Sequence, residues 1–176
     1  AGGNPYATKE QLPFASAALM LWRTLDGFVQ LRALAVPIVC AVHGKLIGGG
    51  LAACLNSDYI VADSAATFEH GNLVRGVCPL GGLSQRLVDV AGRGRTLGLY
   101  LSNATLDASN AAASGVAHEV CSEGVEATQR RALELARLLA KKQGWARVLV
   151  EARRAVDEEH LAAEAVGHAK CLLTNG

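Results

Sequence analysis

Three consecutive glycines, Gly48–Gly50, constrain the fold of this chain more than any other feature. Residues 36–42 before them form an apolar run rich in β-branched side chains, which predicts a buried strand. Residues 51–55 after them have a helical composition. The sequence therefore predicts a strand, a glycine-rich turn and a helix.

Two interpretations of this turn are open. Glycine at a helix start lets a ligand approach the backbone closely, and the unpaired N–H groups there favour negative charge. The turn could therefore be an oxyanion hole, in which backbone donors stabilise charge on a carbonyl oxygen. Alternatively, the glycines only allow a tight strand-to-helix turn that packing requires. The spacing alone favours neither.

The composition indicates a globular chain with one sizeable core. The chain has 176 residues, of which 51% are hydrophobic and 19% charged. Its net charge of +1, without a basic stripe or an acidic tail, argues against nucleic acid or an anionic membrane as the main partner. No apolar stretch reaches the roughly 20 residues that a membrane span needs, and the N-terminus lacks a signal-peptide pattern.

The cysteines indicate a reducing environment. They are odd in number, scattered and mostly embedded in apolar runs: Cys40, Cys54, Cys78, Cys121 and Cys171. This pattern is typical of reduced core thiols rather than disulfides, so we expect a cytoplasmic protein. No cysteine or histidine pair has the spacing of zinc ligands, and we expect no metal site.

The predicted elements mix strands and helices early and are helical late. In chain order they are a helix over 14–34, a strand beginning at Pro37, strands over 58–62, 66–68 and 73–77, helices over 83–91, 95–102 and 108–114, a strand over 116–120, and helices over 126–142, 145–156 and 158–173. This order predicts an α/β layer followed by a helical region.

Short motifs recur at defined spacing along most of the chain: residues 37–44 (PIVCAVHG), 47–50 (IGGG), Asp58, 66–68 (ATF), 76–79 (GVCP), 82–87 (GLSQRL), Gly92 and 106–117 (LDASNAAASGVA). In this order they resemble the crotonase (enoyl-CoA hydratase/isomerase) superfamily. The resemblance implies an α/β fold, a ββα spiral with a C-terminal helical region, whose N-terminal strands are missing here. Residues 1–124 would be the partial spiral core and residues 125–176 a trimerisation-type helical region, together one domain fragment.

The resemblance also implies a substrate and an assembly. Members act on acyl thioesters carried on coenzyme A or on the phosphopantetheine of an acyl carrier protein, with no further bound cofactor, and form homotrimers or hexamers. Two backbone N–H groups polarise the thioester carbonyl and stabilise an enolate. Carried onto this sequence, these donors are Gly3 and Gly49. Gly48, Gly50 and Lys45 are then expected to contact the thioester carrier.

The chain departs from the hydratases of that family at both catalytic carboxylates. Those enzymes carry one glutamate two residues after the glycine triple and a second in a Pro-Glu pair. Here the first position is Ala52 and the second is Asn72, preceded by Gly71. Alanine cannot deprotonate a water molecule, and a neutral amide can only form hydrogen bonds. Hydration and glutamate-dependent isomerisation are therefore disfavoured.

Other side chains could replace the carboxylates. Tyr6 and Lys9 follow the first oxyanion turn, His70 lies beside the lost carboxylate, and His168 lies on the last predicted helix. This set is similar to that of crotonase-like decarboxylases and dehydratases of polyketide β-branching cassettes. The decarboxylases among them use a Tyr/Lys pair after the first oxyanion turn and a histidine on a C-terminal helix. Tyr6 and Lys9 lie closer to the turn than in that pattern.

Three functions are thus open. The leading hypothesis is a lyase that removes CO2 or water from a 3-methylglutaconyl or 3-hydroxy-3-methylglutaryl thioester through a stabilised enolate. The second is an ordinary enoyl-CoA hydratase or isomerase in which other residues replace the carboxylate pair. The third is a catalytically degenerate homologue that only binds thioesters or partners.

Overall fold

The computed structural model describes residues 36–141 and 158–174, together with residues 16, 19, 27, 28, 30–32 and 34. Its strands are β1 (Val39–Val42), β2 (Lys45–Ile47), β3 (Tyr59–Asp63), β4 (Thr67–Glu69), β5 (Thr105–Asp107) and β6 (Glu119–Cys121). Its helices are α1 (Gly49–Leu55), α2 (Leu83–Ala91), α3 (Arg93–Ser102), α4 (Ala108–Ala113), α5 (Val125–Ala140) and α6 (Glu158–Thr174). None of the helices in these ranges has the length and hydrophobicity needed to cross a bilayer.

The strands form two small sheets between which the chain alternates. β1, β3 and β6 form a parallel sheet in that order, with Cys40 opposite Ile60 and Val61 opposite Glu119. β2 and β4 are parallel in the second sheet, where β5 joins β4 in antiparallel orientation. The order β1, β2, α1, β3, β4 is the repeating ββα path of a spiral. The predicted α/β spiral is confirmed.

The core lies between these sheets and the helices that cover them. α5 packs against β1 and β3, α1 packs against α2, and α2 packs against α3. Fully buried apolar side chains come from strands, helices and connections alike: Ile60, Phe68, Leu83, Leu87 and Val116. The turn after β2 and the start of α2 are therefore held on a common apolar support.

Several predicted elements differ from the observed ones. The predicted strand over 73–77 is wrong: Leu73–Arg75 is a 3₁₀ turn, in which the Arg75 amide donates to the Asn72 carbonyl. Gly71 and Gly76 flank it with φ of 66° and 63°, a conformation that interrupts an extended strand. β2 and β5, three residues each, were not predicted. The helix predicted over 145–156 lies outside the described residues.

His118, which directly precedes β6, packs against β3. Its Nδ1 accepts a hydrogen bond from the Ile60 amide at 3.0 Å, and its ring stacks on Tyr59 with centroids 4.6 Å apart. Only a neutral ring whose Nδ1 lacks a proton can accept this bond. His118 is therefore neutral in the folded chain, and burial lowers its pKa.

Candidate functional site

The turn between β2 and α1 exposes backbone donors. Gly49 and Gly50 open α1, are exposed, and donate to no backbone or capping acceptor within the described residues. The Gly48 amide differs, because it donates to the Glu69 carbonyl at 3.2 Å and continues the β2–β4 pairing. Gly49 and Gly50 can therefore bind an anionic oxygen, whereas the Gly48 amide is not available for the predicted contact.

Two predicted polar side chains meet at one carbonyl. Asn72 Nδ2 lies 2.9 Å and His168 Nδ1 lies 2.7 Å from the carbonyl oxygen of Cys78. A carbonyl only accepts, so both side chains donate, and the neutral His168 ring keeps its lone pair on Nε2. The structure thus brings together two residues, Asn72 and His168, that are far apart in the sequence.

Asn72 lies beside the glycine turn. The Asn72 Oδ1 atom is 3.4 Å from the position that a Cβ would occupy on Gly48. That oxygen is buried and has no hydrogen-bond partner within the described chain. Unsatisfied buried polar atoms are rare in proteins, and a bound ligand or water is one way in which such an atom gains a partner.

His70 is buried next to Asn72. Its ring contacts Tyr100 edge-on at a centroid distance of 4.8 Å, and its Nδ1 is buried without a partner among the described residues. Burial lowers the pKa of His70, and the neighbouring Asn72 side chain opposes part of this shift. At neutral pH His70 is a neutral imidazole, able to accept or donate a proton.

Lys45 forms an ion pair within the protein. Its ammonium group lies 2.8 Å from Glu69 Oε2, and Asn103 donates to the other oxygen of that carboxylate at 2.9 Å. These two partners lower the pKa of Glu69 below its ordinary value. The Lys45 charge is thus partly compensated within the protein, but its side chain is 57% exposed and its ammonium keeps further N–H donors, so the predicted carrier contact of Lys45 stays a prediction. Of the two predicted glycine contacts, Gly50 keeps its amide and Gly48 does not.

Gly3, Tyr6 and Lys9 lie outside the described residues. The second oxyanion donor at Gly3 and the acid–base pair Tyr6 and Lys9 stay predictions.

The first lost glutamate position is closed by packing. Ala52 is buried on α1, with its Cβ 3.3 Å from where a Cβ would stand on Gly81. Asn56 Nδ2 donates to the carbonyls of Ala52 and Gly81, both at 2.8 Å, and so holds α1 against the segment before α2. A glutamate at position 52 would have to displace this contact.

The second position has a backbone that excludes the Pro-Glu pair. Gly71 has φ of 66°, whereas proline fixes φ near −65°. A Cβ on Gly71 would also overlap with Ile47 Cγ2. A Pro-Glu pair at residues 71 and 72 would therefore need a different local backbone from the one this chain has.

Sequence reasoning missed two further residues at the site, Tyr100 and Cys78. Cys78 contributes its carbonyl, which has no sequence signature. Burial and the nearby Cys171 thiol raise the pKa of the Cys78 thiol to about 11, which keeps it protonated at neutral pH and makes it a poor nucleophile.

A separate cavity of about 280 Å³ lies between β6 and α5. The arginines that line it face carboxylates: Arg131 Nε lies 2.6 Å from Glu119, and Arg130 lies 3.9 Å from Glu123. None of the predicted catalytic residues in the described part of the chain lines it, so it does not bear on the site around Gly49.

We expect the chain to lose stability in mild acid. Burial lowers the pKa of His70, His118 and His168, so the unfolded chain takes up these protons at a higher pH than the folded chain. The contribution of these histidines to the free energy of unfolding is then fully present above the unfolded pKa near 6.5, and it is lost as the pH drops below that value. The slope is at most about 1.4 kcal/mol per pH unit for each histidine. Urea unfolding between about pH 8 and pH 5 measures it.

His118→Asn is the matched control for this titration. The asparagine oxygen can accept from the Ile60 amide in place of Nδ1 but does not titrate. The pH slope should become shallower in this variant, and equal slopes in both proteins would contradict the assignment of His118.

Comparisons with known proteins agree with the fold. The sequence profile of the family described as "Enoyl-CoA hydratase/isomerase" matches residues 3–172. A Mycobacterium bovis protein named "Probable enoyl-CoA hydratase" is 33% identical over 135 residues, 75% of this chain and 51% of that protein. A mevalonyl-coenzyme A hydratase of Aspergillus fumigatus is 36% identical over 84 residues, 48% of this chain and 31% of that protein.

A solved enoyl-CoA hydratase from Mycobacterium avium subsp. paratuberculosis has the same fold. It superimposes with a TM-score of 0.79 over 90% of this chain and 68% of that structure, at 24% identity. The chain spans about a third to a half of the length of the two curated relatives described above.

Proposed function

Because the chain belongs to the enoyl-CoA hydratase/isomerase family of the crotonase superfamily, we propose that it binds an acyl thioester and polarises its carbonyl with the Gly49 amide. One observation carries this proposal. The exposed Gly49 N–H has no acceptor in the described chain, and it adjoins Gly48, whose Cα faces the unpartnered Asn72 oxygen. A thioester oxygen bound there would gain charge as an enolate forms.

We further propose that the reaction is an elimination. In a decarboxylation the C–C bond to the carboxylate breaks and its electron pair moves to the thioester oxygen as CO2 leaves. In a dehydration a base removes a proton from C2, and the C3 hydroxyl leaves with a proton from an acid. Both pass through an enolate on the thioester oxygen: decarboxylation gives a dienolate that is then protonated at C4, and dehydration gives the enolate from which the C3 hydroxyl leaves as water. Decarboxylation needs no base to activate water, whereas dehydration needs a base and an acid in place of the two glutamates. His70 and His168 supply the acid–base groups, Asn72 orients the substrate, and Gly3, Tyr6 and Lys9 complete the site.

The proposed substrate is a branched thioester of the 3-methylglutaconyl or 3-hydroxy-3-methylglutaryl type. A carrier protein would present it in polyketide β-branching, and coenzyme A is the alternative carrier. The similarity to a mevalonyl-coenzyme A hydratase supports this choice, because mevalonyl is also a 3-hydroxy-3-methyl acyl group.

We propose a homotrimer or hexamer in the cytoplasm. Exposed apolar side chains on adjacent helices support assembly, since water would otherwise contact Val88 and Val90 of α2 and Leu97 and Leu101 of α3. Size-exclusion chromatography with light scattering measures the oligomeric state, and a monomer at micromolar concentration would contradict this part of the proposal.

A thioester panel tests the function. The purified protein is assayed with crotonyl, 3-methylglutaconyl and 3-hydroxy-3-methylglutaryl thioesters, each on coenzyme A and on a carrier protein. We expect CO2 or water release from a branched substrate and little hydration of crotonyl-CoA. Rapid crotonyl-CoA hydration that Asn72→Ala abolishes would instead establish a hydratase. Tight thioester binding without turnover would establish a degenerate homologue.

Restoring the second glutamate should not create a hydratase. In Asn72→Glu the carboxylate cannot donate to the Cys78 carbonyl, and it would place a buried negative charge against that oxygen. We expect a loss of about 2 kcal/mol or more in the free energy of unfolding and no gain in crotonyl-CoA hydration. Urea unfolding and the hydration assay measure both. Asn72→Gln keeps the amide and is the control, and an Asn72→Glu protein that is both stable and active as a hydratase would refute the prediction.

A further inference from the structure

The buried carboxylate of Glu164 joins α6 to the start of α2. Glu164 is 7% exposed. Its oxygens accept from the amides of Gly82 at 2.7 Å and Ser84 at 3.0 Å, and also from the Ser84 hydroxyl. Gly82 precedes α2 and has no side chain to cap it, so these first-turn amides have no acceptor in their own helix. Glu164 supplies that acceptor from a distant part of the chain.

His168 follows Glu164 by one turn on the same face of α6. Its Nδ1 donates to the Cys78 carbonyl, so α6 is attached to segment 78–84 at two polar points. Gly167 permits the close approach, because a Cβ there would lie 3.2 Å from Cys78 Sγ. Because the helix fixes the relative positions of residues four apart, anchoring Glu164 also fixes where His168 lies along the axis of α6 and around it.

Ser84, His160 and Glu164 do not form a nucleophilic triad. In such a triad the acid binds the imidazole nitrogen that faces away from the serine. Here the Ser84 hydroxyl itself donates to Glu164 and lies 2.7 Å from His160 Nε2, while that nitrogen is 3.8 Å from the carboxylate. The cluster is therefore a docking contact between α6 and α2.

We propose that Glu164 is a positioning residue for His168. By anchoring α6 on the α2 amides, it keeps Nδ1 of His168 on the Cys78 carbonyl and leaves the lone pair on Nε2 to act as the base. This inference rests on the proposed function, because it takes His168 as an acid–base group. Glu164 itself touches no reacting atom.

Kinetics of Glu164→Gln give the first test. The glutamine NH2 group would oppose one of the three donors, so α6 shifts. We expect kcat with the best thioester of the panel to fall by about 10- to 100-fold, with KM changed by less than about threefold. Ser84→Ala is the matched control, because the carboxylate keeps both amides, and it should retain kcat. In a His168→Asn background, Glu164→Gln should have no further effect on kcat.

A ring spectrum without substrate gives the second test. Two-bond 1H–15N correlations report which nitrogen of His168 carries the proton. We expect the Nδ1–H form in the unmodified protein and in Ser84→Ala, and a mixture with the Nε2–H form in Glu164→Gln. If Glu164→Gln does not fold, Glu164→Asp, which shortens the anchor by one methylene, should give the same mixture.

The two readouts separate this inference from the proposed function. If no thioester is turned over, the proposed function fails and the ring spectrum still decides whether Glu164 positions His168. An unchanged Nδ1–H form in the Glu164→Gln protein, or equal losses of kcat from Glu164→Gln with and without His168, would overturn the inference.

Discussion

Gly49→Pro is expected to lower kcat by about 10²- to 10³-fold, the loss seen when one oxyanion donor is removed. Gly49 is the first residue of α1, a position where proline is tolerated because its missing N–H has no partner in the helix. The substitution therefore deletes the donor and leaves the fold nearly unchanged. Initial rates with the best thioester of the panel, together with a thermal unfolding curve, measure the two effects separately.

Two variants test whether the loss of kcat comes from the missing Gly49 N–H or from a change in the shape of the turn. Gly49→Ala keeps the N–H, and a Cβ there meets no atom within 4 Å, so kcat should change little. Gly50→Pro deletes the neighbouring donor, which is predicted to contact the carrier, so KM should rise while kcat stays within about threefold. If Gly50→Pro causes the large loss and Gly49→Pro does not, the assignment of the oxyanion donor is wrong.

Local sequence predicted the turn that holds these donors, because glycines between an apolar strand and a helix restrict the backbone to few conformations. The same glycines did not reveal which amides are available. Gly48 loses its donor to the Glu69 carbonyl, a distant partner in the sequence that depends on the pairing of β2 with β4. β2 is only three residues long, which is too short to show the alternation of apolar and polar residues by which a strand is recognised.

The sequence could not predict that Asn72 and His168 share a hydrogen-bond acceptor. Both residues were predicted singly, by position relative to a family pattern, but their common partner is the carbonyl of Cys78. Every residue has a backbone carbonyl, so the residue type does not show which carbonyl serves as an acceptor. A contact between such distant parts of the chain also leaves no periodic pattern in the sequence. The predicted strand over 73–77 failed for a related reason, because left-handed glycines at both ends favour local hydrogen bonds over strand pairing.

His168→Asn is expected to lower kcat by about 10²- to 10⁴-fold, the range for removal of a general acid–base group. The asparagine Nδ2 can replace His168 Nδ1 as the donor to the Cys78 carbonyl, so the attachment of α6 is kept and only Nε2 is lost. The free energy of unfolding should therefore change by less than about 1 kcal/mol. Steady-state rates and urea unfolding of the same preparation measure both effects.

The pH profile separates a base from a packing residue. Burial lowers the pKa of His168, so the neutral, proton-accepting ring persists below the ordinary value near 6.5. If His168 is the base, kcat/KM should hold its plateau below that pH and fall only as the ring is protonated. His70→Asn in parallel removes the second imidazole. The acidic limb of the profile reports protonation of the base. If this limb is lost in the His70→Asn protein but kept in the His168→Asn protein, His70 rather than His168 is the base.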